Sequence, residues 1–403
     1  MTAPWLTVIG IGDDGLEGLS EQRRALIAQA DVLVGGARHH AMVPGEAIRI
    51  AWRFPPDTLV PELRTHAEAG RRVVVLATGD PMSFGIGSTF ARLLAPDEMR
   101  ILPAPSAFSL ACARLSWPLH TVTCLTLHGR PEEQMLRALA PGARLLVLSH
   151  DGRTPARIAE LLCRAGYGAS RLQVFAHMNG AEESLQEASA AEWGSRPVAD
   201  LNTVAVTCTA QPEAAPLPVV PGLPDETFEH DGQLTKREVR AATLAALRPL
   251  PGQCLWDLGA GSGAIGIEWL RAVPDGHAVA VERDGERAAR ARRNAASLGV
   301  PGLDVREGSW PDLLDDLPAP NAIFIGGGLS GEADLERCWQ RLPRHGRLVA
   351  NAVTLDSEAV LMHWGAARDA ELVRLAVSRA EPVGGRPVWR SLRPVTQMHI
   401  LKS

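Results

Sequence analysis

Short apolar runs alternate with amphipathic stretches along the whole chain. In the first half, apolar runs predict strands at residues 6–11, 32–34, 72–77, 121–127, 144–148 and 203–207. Apolar residues at helical spacing predict helices at residues 20–30, 108–115 and 156–165. Because strands that alternate with helices are typical of α/β proteins, we predict an α/β domain with a largely parallel sheet.

The second half shows the same alternation more clearly. Strands are predicted at residues 254–258, 278–282, 304–307, 322–325 and 347–350, and helices at residues 236–247, 263–272 and 285–298. Pro249 and Gly299 mark the ends of two of these helices. A second α/β domain is therefore predicted after the first.

A proline-rich segment separates the two halves. Residues 210–224 read AQPEAAPLPVVPGLP and contain Pro212, Pro216, Pro218, Pro221 and Pro224. Proline fixes φ and removes a backbone donor, so neither a helix nor a central strand is favoured there. We predict a semi-rigid linker with few contacts across it, between domains at residues 1–209 and 225–403.

Composition narrows the class of protein. The chain has 403 residues, 46% of them hydrophobic, and a formal net charge of -5, which gives no basic field to attract nucleic acid. No apolar run approaches the roughly 20 residues that span a bilayer, and no signal peptide is evident. The six cysteines form no C-x-x-C pair, so we expect reduced thiols, no metal site and a cytoplasmic protein without a membrane partner.

A glycine-rich turn in the second half predicts a cofactor site. Residues 255–263 read LWDLGAGSG, an apolar strand that runs into a turn before a predicted helix. Glycines there allow close approach of a ligand to the backbone, and Glu282 at the end of the next strand can accept ribose hydroxyls. An acid at the strand end, Asp257, suits the cationic S-adenosylmethionine (SAM), whereas a nicotinamide-dependent reductase would need the spacing G-x-G-x-x-G.

Residues 225–403 resemble the class I SAM-dependent methyltransferases, whose fold is Rossmann-like. The resemblance implies that the turn contacts the methionine part of SAM, that Glu282 contacts the ribose, and that Ser309 and Trp310 contact the adenine. The turn residues are Gly259, Ala260, Gly261, Ser262 and Gly263.

Four further segments in this half are more specific. They are TKREVR at 235–240, LWDLG at 255–259, FIGGG at 324–328 and NAVTL at 351–355. Together they resemble the decarboxylating precorrin methyltransferases, which implies that Thr235 also contacts the cofactor. The same resemblance implies substrate contacts from Gly326, Gly327, Gly328, Asn351 and Arg390. Arg386 and Arg393 are further candidates, because arginine binds carboxylates bidentately.

The first half contains a different set of strand-end segments. They are VIGIGDDG at 8–15, ATGDPMSFGIG at 77–87, PAPSA at 103–107 and LHGR at 127–130. Residues 4–208 thereby resemble the tetrapyrrole methylase family. This resemblance implies SAM contacts from Ile11, Thr78, Gly79, Asp80, Ser83, Ser106, Ala107 and His128. The opening departs from the commoner G-x-G-P-G because Asp13 and Asp14 replace the proline region, and for His128 we expect backbone binding without proton transfer.

The order of the two families implies a fold class and a function. The fold is expected to be α/β, an N-terminal tetrapyrrole methylase fold plus a C-terminal Rossmann-like class I methyltransferase fold. The expected activity is SAM-dependent methylation of a precorrin at C-5 and C-15 in cobalamin biosynthesis, with decarboxylation of the ring-C acetate, from precorrin-6B to precorrin-8X. Two SAM sites per chain, no metal and a homo-oligomer are expected, with no catalytic residue assigned.

Two alternatives stay open at this point. The substrate could be the cobalt-precorrin of the anaerobic pathway, or the chain could be a SAM-dependent methyltransferase that acts on another substrate. A nucleic-acid methyltransferase would need a basic or aromatic face, and that feature is lacking.

Overall fold

The computed structural model describes residues 4–53 and 55–403, which form two compact units. The first unit extends to Glu132 and continues over Ala140–Ala214. The second comprises Glu133–Leu139 and Ala215–Ser403. None of the helices in the described ranges is long and apolar enough to cross a membrane.

The first unit begins with a five-stranded parallel sheet of order β3-β2-β4-β1-β5. Its strands are β1 (Leu6–Ile11), β2 (Val32–Gly35), β3 (Ile48–Ala51), β4 (Val73–Thr78) and β5 (Met99–Leu102). Alternate residues of β1 and β4 enter two apolar clusters, one on each face of the sheet. Ile11 pairs with Thr78, so β1 and β4 end level at the same edge.

A second five-stranded sheet follows in the same unit, in the order β6-β7-β10-β8-β9. Its strands are β6 (Thr123–Thr126), β7 (Arg144–Leu148), β8 (Arg171–Ala176), β9 (Ser184–Ser189) and β10 (Asn202–Thr207). Only β6 and β7 pair in parallel, and the other pairs are antiparallel.

The prediction of one largely parallel sheet in the first half is therefore wrong. The short connection from β8 to β9, residues 177–183, has no room for a crossover helix and permits an antiparallel pair. The strand β9 reads SLQEAS, is half exposed and lacks an apolar run, so it was not predicted, and β3, β5 and β8 were not predicted either.

Six helices of the first unit cover these sheets. They are α1 (Glu21–Ala28), α2 (Ala37–Met42), α3 (Val60–Glu68), α4 (Ile86–Leu93), α5 (Ala107–Leu115) and α6 (Thr154–Arg164). Ser106 begins α5, because its side chain accepts a hydrogen bond from the Ser109 amide. Phe108 on this helix packs against Leu146 and Phe175 of the second sheet.

The second unit contains a seven-stranded sheet of order β13-β12-β11-β14-β15-β19-β16 and a separate hairpin of β17 and β18. The strands are β11 (Cys254–Leu258), β12 (His277–Glu282), β13 (Asp304–Glu307), β14 (Ala322–Ile325), β15 (Arg347–Ala352), β16 (Glu371–Leu375), β17 (Ser378–Val383), β18 (Arg386–Ser391) and β19 (Val395–Leu401). The strands β11 to β15 pair in parallel, and β19 is antiparallel to both neighbours. The chain order reverses at β11, which lies between β12 and β14, and such switch points form ligand crevices in α/β sheets.

The helices of the second unit flank this sheet. They are α7 (Arg237–Leu247), α8 (Ala264–Ala272), α9 (Gly285–Ser297), α10 (Trp310–Leu313), α11 (Glu332–Arg341) and α12 (Leu355–Ala366). Successive residues of β11 enter two apolar clusters, Leu255 on one face and Trp256 on the other. The predicted strands and helices of this half all form, with ends that differ by at most two residues.

Much of the proline-rich segment packs onto the second unit. From Ala215 onward it belongs to that unit, where the Arg271 guanidinium donates to the carbonyls of Leu217 and Pro218. Leu223 is 1% exposed within the apolar cluster. Residues 215–224 are therefore not a free linker, because proline-rich backbone leaves carbonyls unpaired that a buried arginine can satisfy.

Candidate functional site

The second unit has a cavity of about 840 Å³ at the carboxyl ends of its parallel strands. Segments that follow β11, β12, β13 and β14 line it, together with the loop before α7. Most of the predicted site residues of this half line the cavity: Thr235, Gly259, Ala260, Gly261, Ser262, Glu282, Ser309, Trp310, Gly326, Gly327, Gly328 and Asn351. Gly263 and Arg390 do not line it.

The turn between β11 and α8 depends on glycine for its shape. Gly259, Gly261 and Gly263 have φ of 73°, 57° and 78°, in the left-handed region. A Cβ on Gly259 would lie 2.6 Å from the carbonyl oxygen of Gly327, so the two glycine segments approach through their backbones. A Cβ on Gly263 would lie 3.0 Å from the Cβ of Ala291, so Gly263 allows α8 and α9 to pack closely.

Glu282 connects the end of β12 to this turn. Its Oε2 accepts a hydrogen bond from the Gly261 amide at 2.8 Å, and its Oε1 accepts one from the Asp284 amide at 3.0 Å. The buried carboxylate is thus fixed at the cavity wall, with remaining lone pairs that can accept from a hydroxyl.

Asp257 is a second acid in the same cavity wall, and it is 1% exposed. Its Oδ2 accepts a hydrogen bond from the Gly266 amide at 2.9 Å, whereas Oδ1 has no hydrogen-bond partner within the described ranges. Burial, together with the nearby Glu282 carboxylate, raises the pKa of Asp257 to about 7, against the lowering effect of the Gly266 amide. Such an unpaired buried oxygen is suited to a cationic ligand group.

Trp310 and Asn351 are also fixed in the cavity wall. The Trp310 indole is buried, and its Nε1 donates to the Gly327 carbonyl at 3.0 Å. Asn351 Nδ2 donates to Thr243 Oγ1 at 3.0 Å, and Asn351 Oδ1 accepts from Gln397 Nε2 at 2.9 Å. Both side chains are therefore held in place before any ligand binds.

The first unit has a larger cavity, of about 1090 Å³, between the strand ends of its two sheets. It is lined by the predicted residues Thr78, Gly79, Asp80, Ser83, Ser106, Ala107 and His128. Ile11 does not line it, because its side chain is buried in the sheet core while its carbonyl accepts from the Gly79 amide at 2.9 Å.

The turn after β4 positions Asp80. Gly79 has a φ of 60°, and a Cβ there would lie 3.0 Å from the Pro105 carbonyl oxygen. The Oδ1 of Asp80 accepts a hydrogen bond from the Met82 amide at 2.9 Å. Since α4 begins only at Ile86, this carboxylate stabilises a turn and does not cap a helix.

Charged side chains join the two sheets across this cavity. Asp13, which follows β1, accepts one hydrogen bond from Arg38, and its Oδ2 lies 2.9 Å from Nδ1 of His177, which follows β8. Arg38 also donates to Thr78 Oγ1 at 2.8 Å, and the buried His39 lies 3.1 Å from the same oxygen. Burial, together with the nearby Arg38 charge, lowers the pKa of His39 to about 4, so this imidazole is neutral near pH ~7.

Comparison with known proteins identifies both units. Residues 6–191 match the Tetrapyrrole (Corrin/Porphyrin) Methylases, and residues 226–402 match the Precorrin methyltransferase domain. A precorrin-6Y C(5,15)-methyltransferase (decarboxylating) of Sinorhizobium sp is 48% identical over 401 residues, which cover 98% of this chain and 96% of that protein. The chain belongs to the family of decarboxylating precorrin-6Y C(5,15)-methyltransferases.

Other relatives agree with this family. The protein of the same name from Mycobacterium tuberculosis is 41% identical over 400 residues, covering 98% of this chain and 100% of that protein. A solved structure, the C-terminal domain of precorrin-6Y C5,15-methyltransferase from Rhodobacter capsulatus, is 41% identical, with a TM-score of 0.44 over 46% of this chain and 100% of that chain. The resemblance and the fold class inferred from the sequence are confirmed, and membership of this methyltransferase family implies the use of SAM.

The arginines near the C-terminus occupy different surroundings. Arg390 lies on the exposed hairpin strand β18 and pairs with Glu381 at 3.0 Å. Arg393 lines the cavity of the second unit, as does Lys236, and neither has a carboxylate partner in the part of the chain that the structure describes. The sequence could not show which of these cations reaches the cavity. That depends on where the hairpin of β17 and β18 turns.

Sequence reasoning also missed Arg38 and His177. Arg38 lies in a segment with no recognisable motif, and His177 follows β8, which was not predicted as a strand. The signal that could have found His177 is a polar residue at the end of a strand. It could be used only once β8 had been predicted as a strand.

The pKa of Asp257 predicts how stability changes with pH. The folded pKa of about 7 lies above the ordinary value of 3.8, so the protonated acid favours folding. This contribution is fully present below pH ~4 and is lost as the pH rises through ~7. We expect Asp257→Asn to gain stability relative to the natural chain as the pH rises from ~4 to ~7, as measured by urea unfolding of the second unit.

Asp316 provides a control for this measurement. Its side chain is exposed, so Asp316→Asn should keep a constant stability difference from the natural chain over the same pH range. If the stability difference between Asp257→Asn and the natural chain were also constant, Asp257 would be ionised in the folded protein over the whole pH range.

Proposed function

We propose that this chain adds two methyl groups from SAM to a precorrin, one at C-5 in the first unit and one at C-15 in the second. In the second unit the ring-C acetate also loses CO2. The observation that carries the proposal is a separate cavity in each unit, at the ends of that unit's own strands and lined by its own glycine turns. The names of the full-length relatives support the same pair of methylations.

In the second unit, the residues present fit a cationic cofactor. A Cβ on Gly327 would have no heavy atom within 4 Å, and one on Gly261 would have only the Gln233 carbonyl oxygen, at 3.8 Å, so open space lies along the turns. Glu282 gives this space negative charge, and a bound cation would favour the ionised form of Asp257, so the two acids suit the amino group and the sulfonium of SAM. The turn residues 259–262 would hold the methionine part, Glu282 the ribose, and Ser309 with the fixed Trp310 indole the adenine.

In the first unit, the residues that would hold SAM come from three strand ends. They are Thr78, Gly79, Asp80, Ser83, Ser106, Ala107 and His128. Gly79 fits this role because its φ is left-handed and because no side chain separates its backbone from residues 105–107. Ile11 would contribute only through its carbonyl, which holds the Gly79 amide.

When bound, SAM supplies an electrophilic methyl group on a positively charged sulfur. A reduced tetrapyrrole has enamine-like meso carbons that are already nucleophilic, so the chain must orient the acceptor carbon and exclude water. In the second unit, Lys236 and Arg393 would bind carboxylates of the macrocycle, while Asn351 is held rigidly at the wall. The electron pair left by CO2 enters the conjugated macrocycle, so decarboxylation needs no separate electron sink.

Asp80→Asn tests the assignment in the first unit. Asparagine can accept the same hydrogen bond from Met82, so folding should be unchanged, whereas loss of the carboxylate charge should weaken SAM binding at one of two sites about tenfold or more. Calorimetry gives the affinity, and product analysis should show C-15 methylation without C-5 methylation.

Asp151→Asn is the matched control. Its carboxylate accepts from the Arg153 amide two residues later, as that of Asp80 does from Met82, and in addition from Thr154 and Arg157, but it does not line the cavity. Unchanged SAM affinity and C-5 methylation in Asp80→Asn would remove Asp80 from the site.

Titration of the full chain with SAM tests the proposal as a whole. We expect two SAM sites per chain, and with precorrin-6B and methyl-labelled SAM a product that carries two new methyl groups and lacks one carboxyl group. Parallel reactions with the cobalt-containing precorrin separate the two pathways. A single SAM site per chain, or a product with its new methyl groups on oxygen, would contradict the proposed function. Homo-oligomer formation stays a prediction, for which light scattering is the measurement.

A further inference from the structure

We propose that His177, oriented by Asp13, accepts the proton that the substrate carbon loses when it is methylated in the first unit. The inference rests on the proposed function of that unit. Replacing hydrogen by methyl forms a carbon–carbon bond from the π electrons of the substrate, and the electron pair of the broken carbon–sulfur bond stays on sulfur. One proton is then left on the methylated carbon, and a base must take it.

The geometry of the pair fixes which nitrogen is free. His177 Nδ1 lies 2.9 Å from Asp13 Oδ2, so in the neutral ring Nδ1 carries the proton and donates it to the carboxylate. Nε2 then has a free lone pair, since the nearest carboxylate, that of the exposed Glu182, is 3.8 Å away, beyond a hydrogen bond. A histidine oriented by a carboxylate through its other nitrogen is the arrangement of a general base.

The surroundings hold this pair rigidly inside the cavity. Both residues line it, and their side chains are only 24% and 13% exposed for His177 and Asp13. His177 has a left-handed φ of 50°, which is uncommon for a non-glycine residue. A Cβ on Gly180 would lie 2.3 Å from Asp13 Oδ2, so only glycine lets the carboxylate reach this position.

The other histidines of this cavity are placed differently. His39 uses both ring nitrogens, toward the Gly36 amide and Thr78, and the rings of His128 and His150 contact each other at an interplanar angle of 39°, with centroids 5.1 Å apart. Among the described residues that line the cavity of the second unit, none is a histidine. That difference fits the chemistry, because there the departing CO2 leaves its electron pair to the macrocycle and no proton need be removed for methylation.

The test is the variant His177→Gln of the full chain. The methyl groups at C-5 and at C-15 are both measured on the same tetrapyrrole product. Glutamine can still donate to Asp13, so a purely structural link survives while the base is lost. We expect C-5 methylation to slow about 100-fold or more, with C-15 methylation and SAM affinity at both sites unchanged.

His399→Gln is the matched control. His399 Nε2 lies 3.2 Å from a carboxylate oxygen of Glu371 and its side chain is 21% exposed, but it lies outside both cavities, so both methylations should continue unchanged. A readout independent of activity is the nitrogen NMR spectrum of labelled histidine, in which the His177 signals should show an unprotonated Nε2 and should change in Asp13→Asn.

Two outcomes would overturn the inference. One is a His177→Gln chain that methylates C-5 at the natural rate, and the other is a parallel loss of C-5 methylation and SAM affinity, which would make His177 a structural part of the pocket. If the natural chain itself adds no methyl at C-5, the proposed function of the first unit fails and the inference fails with it.

Discussion

We expect Gly261→Val to abolish SAM binding in the second unit and with it C-15 methylation, while C-5 methylation continues. Gly261 has a φ of 57°, where a branched side chain costs on the order of 1–3 kcal/mol, and its added atoms would project into the cavity beside Glu282. Calorimetry should find one SAM site per chain, and the product should carry the C-5 methyl alone.

A control is needed because backbone strain alone could disturb the unit. Gly252 has a φ of 71° and, like Gly261, open space around its Cβ position, but it does not line the cavity. Gly252→Val should therefore lose about as much stability as Gly261→Val does, and it should keep both SAM sites. Equal loss of both methylations in Gly261→Val would show that the sites are coupled or misassigned.

We expect Arg240→Met to lower the free energy of unfolding of the second unit by about 3–5 kcal/mol. Arg240 is fully buried and donates to Glu268 at 2.6 Å and to Asp225 at 3.2 Å, and its guanidinium lies over the Phe228 ring. Methionine fills similar volume but leaves the Glu268 carboxylate buried without its counter-ion. Since Arg240 also donates to the Thr235 carbonyl, the loop before α7 should loosen and SAM binding in that unit should weaken.

Urea unfolding followed in the second unit measures this effect. Arg293→Met is the control, because Arg293 pairs with Glu229 at the exposed surface, where a pair contributes about 0–1 kcal/mol. Adding Glu268→Gln to Arg240→Met removes the uncompensated charge and should restore part of the stability. A loss below about 1 kcal/mol for Arg240→Met would show that water reaches Glu268.

The sequence by itself determined the local elements of the second unit and the position of its cavity. The turn after β11 was predictable because an apolar run, three glycines and a helix follow one another within about twenty residues, and each step is a local backbone preference. Twelve of the predicted residues of this half line one cavity. The glycine turn and Glu282 were predicted there from the strand pattern, because the carboxyl ends of parallel strands meet at one edge, whereas the others were implied by the resemblance to the methyltransferase families.

Only the tertiary structure decided which distant segments meet. The pairing of β10 between β7 and β8 and the packing of residues 215–224 against Arg271 depend on contacts between residues far apart in the chain. The hairpin of β17 and β18 decides that Arg390 lies outside the cavity. Burial is likewise a property of the packed fold, so the raised pKa of Asp257 could not follow from its turn motif. Asp13 and His177 are 164 residues apart, and they pair because β1 and β8 end at the same cavity, which no local pattern of hydrophobic and polar residues specifies.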